Sequence, residues 1–159
     1  MTHVATAAPP TDFDLIRSRL SQAMPFTRTI GIEYVELSAE RAVLRLPDRA
    51  DLHNHVGGPH GGAAFTLGDS AAGALSIAAF SDLYDEYIGL LASGTIRYRS
   101  IAEGDLTAEA RLARRNADIR ADLMAHQKAR FDVEIAIRDS SGEVRSEMTA
   151  NIALSPVRP

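Results

Sequence analysis

Between Gly61 and Ser81 the chain carries one charged side chain, Asp69. An uncharged run of this length is either a membrane span or a helix enclosed by the rest of a folded domain. Its content favours the second. Ala, Gly, Ser and Thr dominate the run, large apolar side chains are few, and a carboxylate near its middle is costly in hydrocarbon. The spacing predicts a helix over about Gly61–Phe80 that needs protein on most of its sides.

The rest of the sequence supplies that cover. Asp12 to about Met24 reads as a short helix with Asp12 as N-cap and Pro25 as its end. Strands are expected at about Thr29–Leu37 and Arg41–Leu46. After the long helix the pattern switches to period two. About Gly89–Ser100 places Thr95, Arg97 and Arg99 on one face and Ile96 and Tyr98 on the other. About Asp105–Ala113, Phe131–Arg138 and Glu143–Leu154 also alternate, the last two joined by a Ser140-Ser141-Gly142 turn. Residues 116–127 interrupt the strands with a short amphipathic helix through Ile119, Leu123 and Met124. Half-buried strands joined by tight turns make an antiparallel sheet, and one dominant helix against it makes an α+β layer arrangement.

Composition narrows the chemistry. The 159 residues, 45% of them hydrophobic, suit one domain, residues 12–159, with limited volume for a deep private site. The absence of cysteine excludes disulfides, thiolate metal sites and cysteine nucleophiles. A net charge of −4 lacks the basic footprint of a nucleic-acid binder. The start of the chain has no Lys or Arg and no long apolar core, so residues 1–11 read as a flexible tail, not a secretory signal. A cytoplasmic protein is expected, without membrane or nucleic-acid partners.

The chemistry concentrates in Asn54-His55-Val56-Gly57-Gly58-Pro59-His60-Gly61-Gly62, which leads into the helix and on to Asp69. A helix start presents free N–H groups and partial positive charge, and glycine lets an oxygen approach closely. The Gly-Gly pair therefore either receives an anion or a polarised carbonyl, or simply turns the chain into the helix. Asp69 is either a general base or nucleophile with a burial-tuned pKa, or a structural carboxylate paired elsewhere. The eight residues separating Gly61 from Asp69 span roughly 12 Å of helix. If both serve one reaction, two copies of the chain must contribute to it, as in a two-fold dimer with antiparallel helices. Gly68, Ala71, Ala72 and Gly73 permit close packing on the sheet or on a partner. His53, His55 and His60 lie near one another, but no further ligand cluster accompanies them, and no metal is expected.

The Asn54…His60-Gly61-Gly62…Asp69 pattern resembles the hotdog-fold acyl-CoA thioesterases, in particular the phenylacetate-degradation-type and 4-hydroxybenzoyl-CoA-type branch. The resemblance covers about residues 25–155. It implies an antiparallel sheet wrapped around a long central helix, and hydrolysis of acyl-CoA-type thioesters without a cofactor beyond the CoA of the substrate. It also implies a homo-oligomer, either a dimer or a dimer of dimers. Asp69 would activate water or attack the thioester, and Gly61 of the other subunit would polarise the carbonyl by its amide. Asn54 would position the carbonyl or the water, and His60 would shape the turn or hydrogen-bond nearby.

Some members place a hydroxyl beside the carboxylate. The matching positions here are Gly73 and Leu91, which leaves Ser70, Ser93 and Thr95 as candidates. Residues 116–127 are an addition to the minimal fold. Two other readings are a hotdog dehydratase of hydroxyacyl thioesters and a non-catalytic acyl-CoA-binding module. Charge is uneven: residues 111–130 carry +4 and the remainder −8, so this segment is a candidate patch for CoA phosphates.

Overall fold

The computed structural model of the protein describes residues 11–157, so all but Thr11 of the expected tail lies outside the described residues. Asp12 caps α1 (Phe13–Ala23), its carboxylate accepting the Leu15 N–H at 2.9 Å. Pro25 ends that helix but also opens another, α2 (Pro25–Ile30). A proline suits a first helical position because the N–H it lacks has no helical acceptor there. Gly31 closes α2 at φ 82°, a left-handed cap open to glycine at little cost. The strand expected from Thr29 therefore starts later, as β1 (Glu33–Leu37).

The remaining strands are β2 (Ala42–Leu46), β3 (Tyr87–Tyr98), β4 (Leu106–Leu112), β5 (Ala129–Arg138) and β6 (Val144–Pro156). All pair antiparallel in one sheet of order β1-β2-β4-β5-β6-β3. The long helix α3 (Gly61–Ala79) lies against its inner face. This α+β arrangement is the hotdog fold.

Period-two patterning decides which side chains meet α3. In β5, Phe131, Val133, Ile135 and Ile137 are buried, whereas Asp132 and Glu134 between them face out. Opposite them on α3 sit Leu67, Ala71, Ala72 and Leu75, all at 0% exposure. The alanines let the helix settle close to the sheet. Gly94 and Gly89 of β3 do the same from the strand side. A Cβ at Gly94 would lie 2.9 Å from the Phe65 ring, and one at Gly89 would lie 2.8 Å from Ser76 Oγ.

The interrupting helix is α4 (Asn116–His126). It covers the far end of α3. Asn116 Nδ2 and Arg120 Nη2 donate to the Ala79 carbonyl at 3.0 and 2.8 Å, and the Arg120 guanidinium stacks 5.3 Å from the Phe80 ring. These contacts satisfy a carbonyl that the helix end leaves without an intrahelical donor, and they place a cation at the negative pole of α3. Among the described residues no helix is long and apolar enough to cross a membrane.

Candidate active site

The loop before α3 is held by its own polar groups. Asn54 Oδ1 accepts the Val56 and Gly58 N–H groups at 3.0 and 3.3 Å, and Asn54 Nδ2 donates to the Pro59 carbonyl at 3.4 Å. Both acceptor positions of the amide are thus occupied, and the side chain has one N–H left to offer a ligand. His60 is the N-cap of α3, its Nδ1 accepting the Gly62 N–H at 2.8 Å. The ring sits so close that a Cβ on Gly62 would lie 3.0 Å from Nδ1. Gly61 is the first residue of α3, and among the described residues its N–H meets no acceptor.

A residue absent from the sequence-derived site completes this corner. The Tyr98 hydroxyl donates to the Gly61 carbonyl at 2.7 Å across 37 residues of chain. A Cβ on Gly61 would press on the Tyr98 ring at 3.2 Å, so the glycine lets the strand and the helix start meet. The alternation of β3 already put Tyr98 on the face opposite Arg97 and Arg99. Only the folded chain shows that it ends at Gly61. Beside the first turn of α3 lies a pocket of about 350 Å³, bordered by Asn54, Gly61, Ala64 and Tyr98.

Asp69 lies further along α3, half-buried. Among the described residues its carboxylate makes no ion pair and accepts no hydrogen bond. Burial raises its pKa above the ordinary carboxylate value of 3.8. Thr66, Asp69, Ser70 and Gly73 form a stripe of α3 that the sheet leaves partly open, while Leu67, Gly68, Ala71 and Ala72 are buried. Phe65 packs at Gly94 and Ser76 at Gly89, so Asp69 sits level with the β3 bulge between Leu91 and Ser93.

The continuous helix keeps Asp69 two turns from Gly61, so one chain does not bring the two together. Of the candidate hydroxyls, Ser70 donates to the Thr66 carbonyl at 2.7 Å. Ser93 and Thr95 pair with Asn151 and Thr149, and Asn151 bonds Asp132 and Arg130 on the outer face, so both point away from α3.

Four of the six cations of the basic segment are paired with carboxylates. Arg111 pairs with Glu109, Arg114 with Asp122, Arg115 with Asp118 and Arg120 with Asp82. Among the described residues Lys128 and Arg130 have no carboxylate partner, and Arg130 donates to Asn151 Oδ1 at 3.2 Å. His53 is likewise engaged, at 2.7 Å from Asp48.

Comparisons with known proteins agree on the architecture. A Pseudomonas aeruginosa protein of unknown function, PA5026, whose name adds "Probable Thioesterase", superposes with a TM-score of 0.82 at 30% identity, over 93% of this chain and 98% of its own. A mutant form of the P. aeruginosa thioesterase PA1618 shares the fold with a TM-score of 0.74 at 18% identity, over 94% of this chain and 97% of its own. A Deinococcus radiodurans protein named "Putative esterase" is 32% identical over 100 residues, and that match spans 62% of each chain. The family model described as "Domain of unknown function (DUF4442)" matches residues 14–154, nearly the whole of the hotdog fold described above, and the chain belongs to that family.

Proposed function

We propose that the protein hydrolyses acyl-CoA-type thioesters in a two-fold homodimer, or a dimer of dimers, with each site shared by two subunits. The observation that carries this reading is the Asp69 carboxylate, half-buried without a partner on an otherwise uncharged helix. A buried carboxylate left unpaired is a costly feature, and a role in proton transfer accounts for it. The relatives named as thioesterases and as an esterase support the reaction class.

The two-subunit site follows from distance and from the sheet edge. β3 is a long outer strand with Ile88 and Leu90 exposed at 46% and 59%. Such an edge invites pairing with another chain. Joining two β3 edges antiparallel about a two-fold axis also brings the open stripes of the two α3 helices face to face. At Gly73 a Cβ would touch nothing, so the helices have room to approach. Gly61 of one subunit then comes near Asp69 of the other.

In the reaction, Asp69 takes a proton from water and the water oxygen attacks the thioester carbonyl carbon. The Gly61 N–H of the other subunit, at the positive end of α3, holds the developing oxyanion, assisted by the free Asn54 N–H. The tetrahedral intermediate collapses by breaking the C–S bond. The proton held on Asp69 passes to the departing thiolate, giving a carboxylic acid and the free thiol. Direct attack by Asp69, with hydrolysis of the resulting anhydride, uses the same residues. His60 fixes the helix start and does not touch the reacting atoms.

The test is thiol release from short, long and aromatic acyl-CoA substrates by the wild type and by Asp69→Asn. The variant is expected to lose at least about 100-fold in kcat while keeping its oligomeric state and melting temperature. Undiminished hydrolysis by the variant sinks the mechanism. Tight binding without turnover of any thioester supports the non-catalytic binding module instead.

A further inference from the structure

We infer that the pocket beside the start of α3 receives the acyl group, and that Ser146 in its wall selects chains bearing a neutral oxygen, a hydroxyl or a keto group. The inference rests on the thioester reading for the identity of the ligand.

Ser146 is paired across the sheet with Tyr98 of β3 and Ile137 of β5, and all three border the pocket. It faces inward and is only 5% exposed, yet among the described residues its hydroxyl has no hydrogen-bond partner. Arg41 Nε is the one side-chain polar atom among the described residues shut from solvent without a partner, so the Ser146 hydroxyl keeps surface open to the pocket it borders, where it offers a donor and an acceptor to a ligand oxygen. Part of the wall is apolar, with Ala64, Leu106 and Ile137 at 6%, 1% and 1% exposure, and Asn54 and Ser100 add polar groups to it. The volume of about 350 Å³ is at the small end of ligand pockets and suits a compact acyl group.

Charge decides which oxygen fits. Arg145 and Arg99 also border the pocket, but neither offers a free cation. Arg145 bonds Asp139 at 2.7 Å and Glu143 at 3.1 Å, and Arg99 pairs with Glu147. The Ser141 hydroxyl and the Arg145 guanidinium hold the Asp139 carboxyl well below its usual range, at about 2, so this pair remains ionised. A carboxylate-tipped acyl chain would therefore meet guanidinium groups already matched by carboxylates. A hydroxyl or keto oxygen needs only the Ser146 hydroxyl.

The experiment measures binding of non-hydrolysable CoA thioethers by calorimetry. A six-carbon chain is used unsubstituted, with a hydroxyl at each position in turn, and with a terminal carboxylate. The wild type should bind one hydroxylated isomer about 10-fold more tightly than the unsubstituted chain. Ser146→Ala should lose that preference while keeping its affinity for the unsubstituted chain, with an unchanged or higher melting temperature. Ser146→Thr, which retains the hydroxyl, should keep part of the preference. No hydroxyl preference at any position, an equal preference in Ser146→Ala, tightest binding of the carboxylate or a marked loss of stability in Ser146→Ala overturns the inference. Because the readout is binding, a protein that hydrolyses nothing yet discriminates through Ser146 refutes the thioesterase reading and leaves the pocket assignment standing.

Discussion

At the scale of single residues, Asp69 ties activity to stability with opposite signs. Its pKa is raised by burial, so its charged form is disfavoured in the folded protein. The stabilising contribution of the protonated carboxyl is complete below the ordinary carboxylate range and is lost as pH rises through the raised folded-state pKa. Hydrolysis requires the ionised form, so kcat/KM should climb with pH through that same raised pKa. Asp69→Asn should melt at or above the wild-type temperature at pH 7, with its advantage gone below about pH 4. An Asn variant that melts well below the wild type at neutral pH would assign Asp69 a structural role. Gly61 can be tested by deleting one atom's function. Gly61→Pro removes the N–H at a first helical position that accepts proline, and His60 is already extended at ψ 137°. A fall in kcat of about 10²–10³ is expected, with Gly61→Ala as the control for crowding of the Tyr98 ring. Equal rates in the Pro and Ala variants would remove the amide from the mechanism.

At the scale of elements, α3 is a rod supported at both ends by different means. Its start is capped by His60 and tied to β3 by Tyr98, and its end is closed by α4 through Asn116 and Arg120. The segment that reads in sequence as an addition to the minimal fold is thus the C-terminal cap of the central helix. Arg120 also pairs with Asp82, whose pKa it lowers, and lies over Phe80. Arg120→Ala should cost about 1–2 kcal/mol in chemical denaturation and leave kcat near the wild-type value, because the affected end of α3 is remote from Gly61. A loss of turnover without a loss of stability would place Arg120 in substrate binding. The periodicity of the sequence located these elements to within a few residues. It misplaced the start of β1 because Pro25 and Gly31 impose a short helix where side-chain alternation alone suggests a strand.

At the scale of the whole molecule, the shared site makes a prediction about mixtures. Gly61→Pro and Asp69→Asn subunits, each inactive alone, should regain activity when unfolded, mixed in equal amounts and refolded together. Each mixed dimer holds one site with both defects and one with neither, so random pairing should restore about a quarter of wild-type activity. Recovery near zero would mean that Gly61 and Asp69 do not act across subunits. The amino-acid sequence alone determined the long uncharged helix, the alternating strands and the α+β class, because periodicity, caps and helical rise act within short stretches of chain. Only the tertiary structure decided that Tyr98 reaches Gly61, that Ser93 and Thr95 face away from α3, that Arg111, Arg114, Arg115 and Arg120 are matched by carboxylates, and that Ser146 opens unpartnered into a pocket. Those contacts join residues of different strands and helices, and their geometry is set by sheet register and by the depth to which α3 packs, neither of which is written in any local pattern.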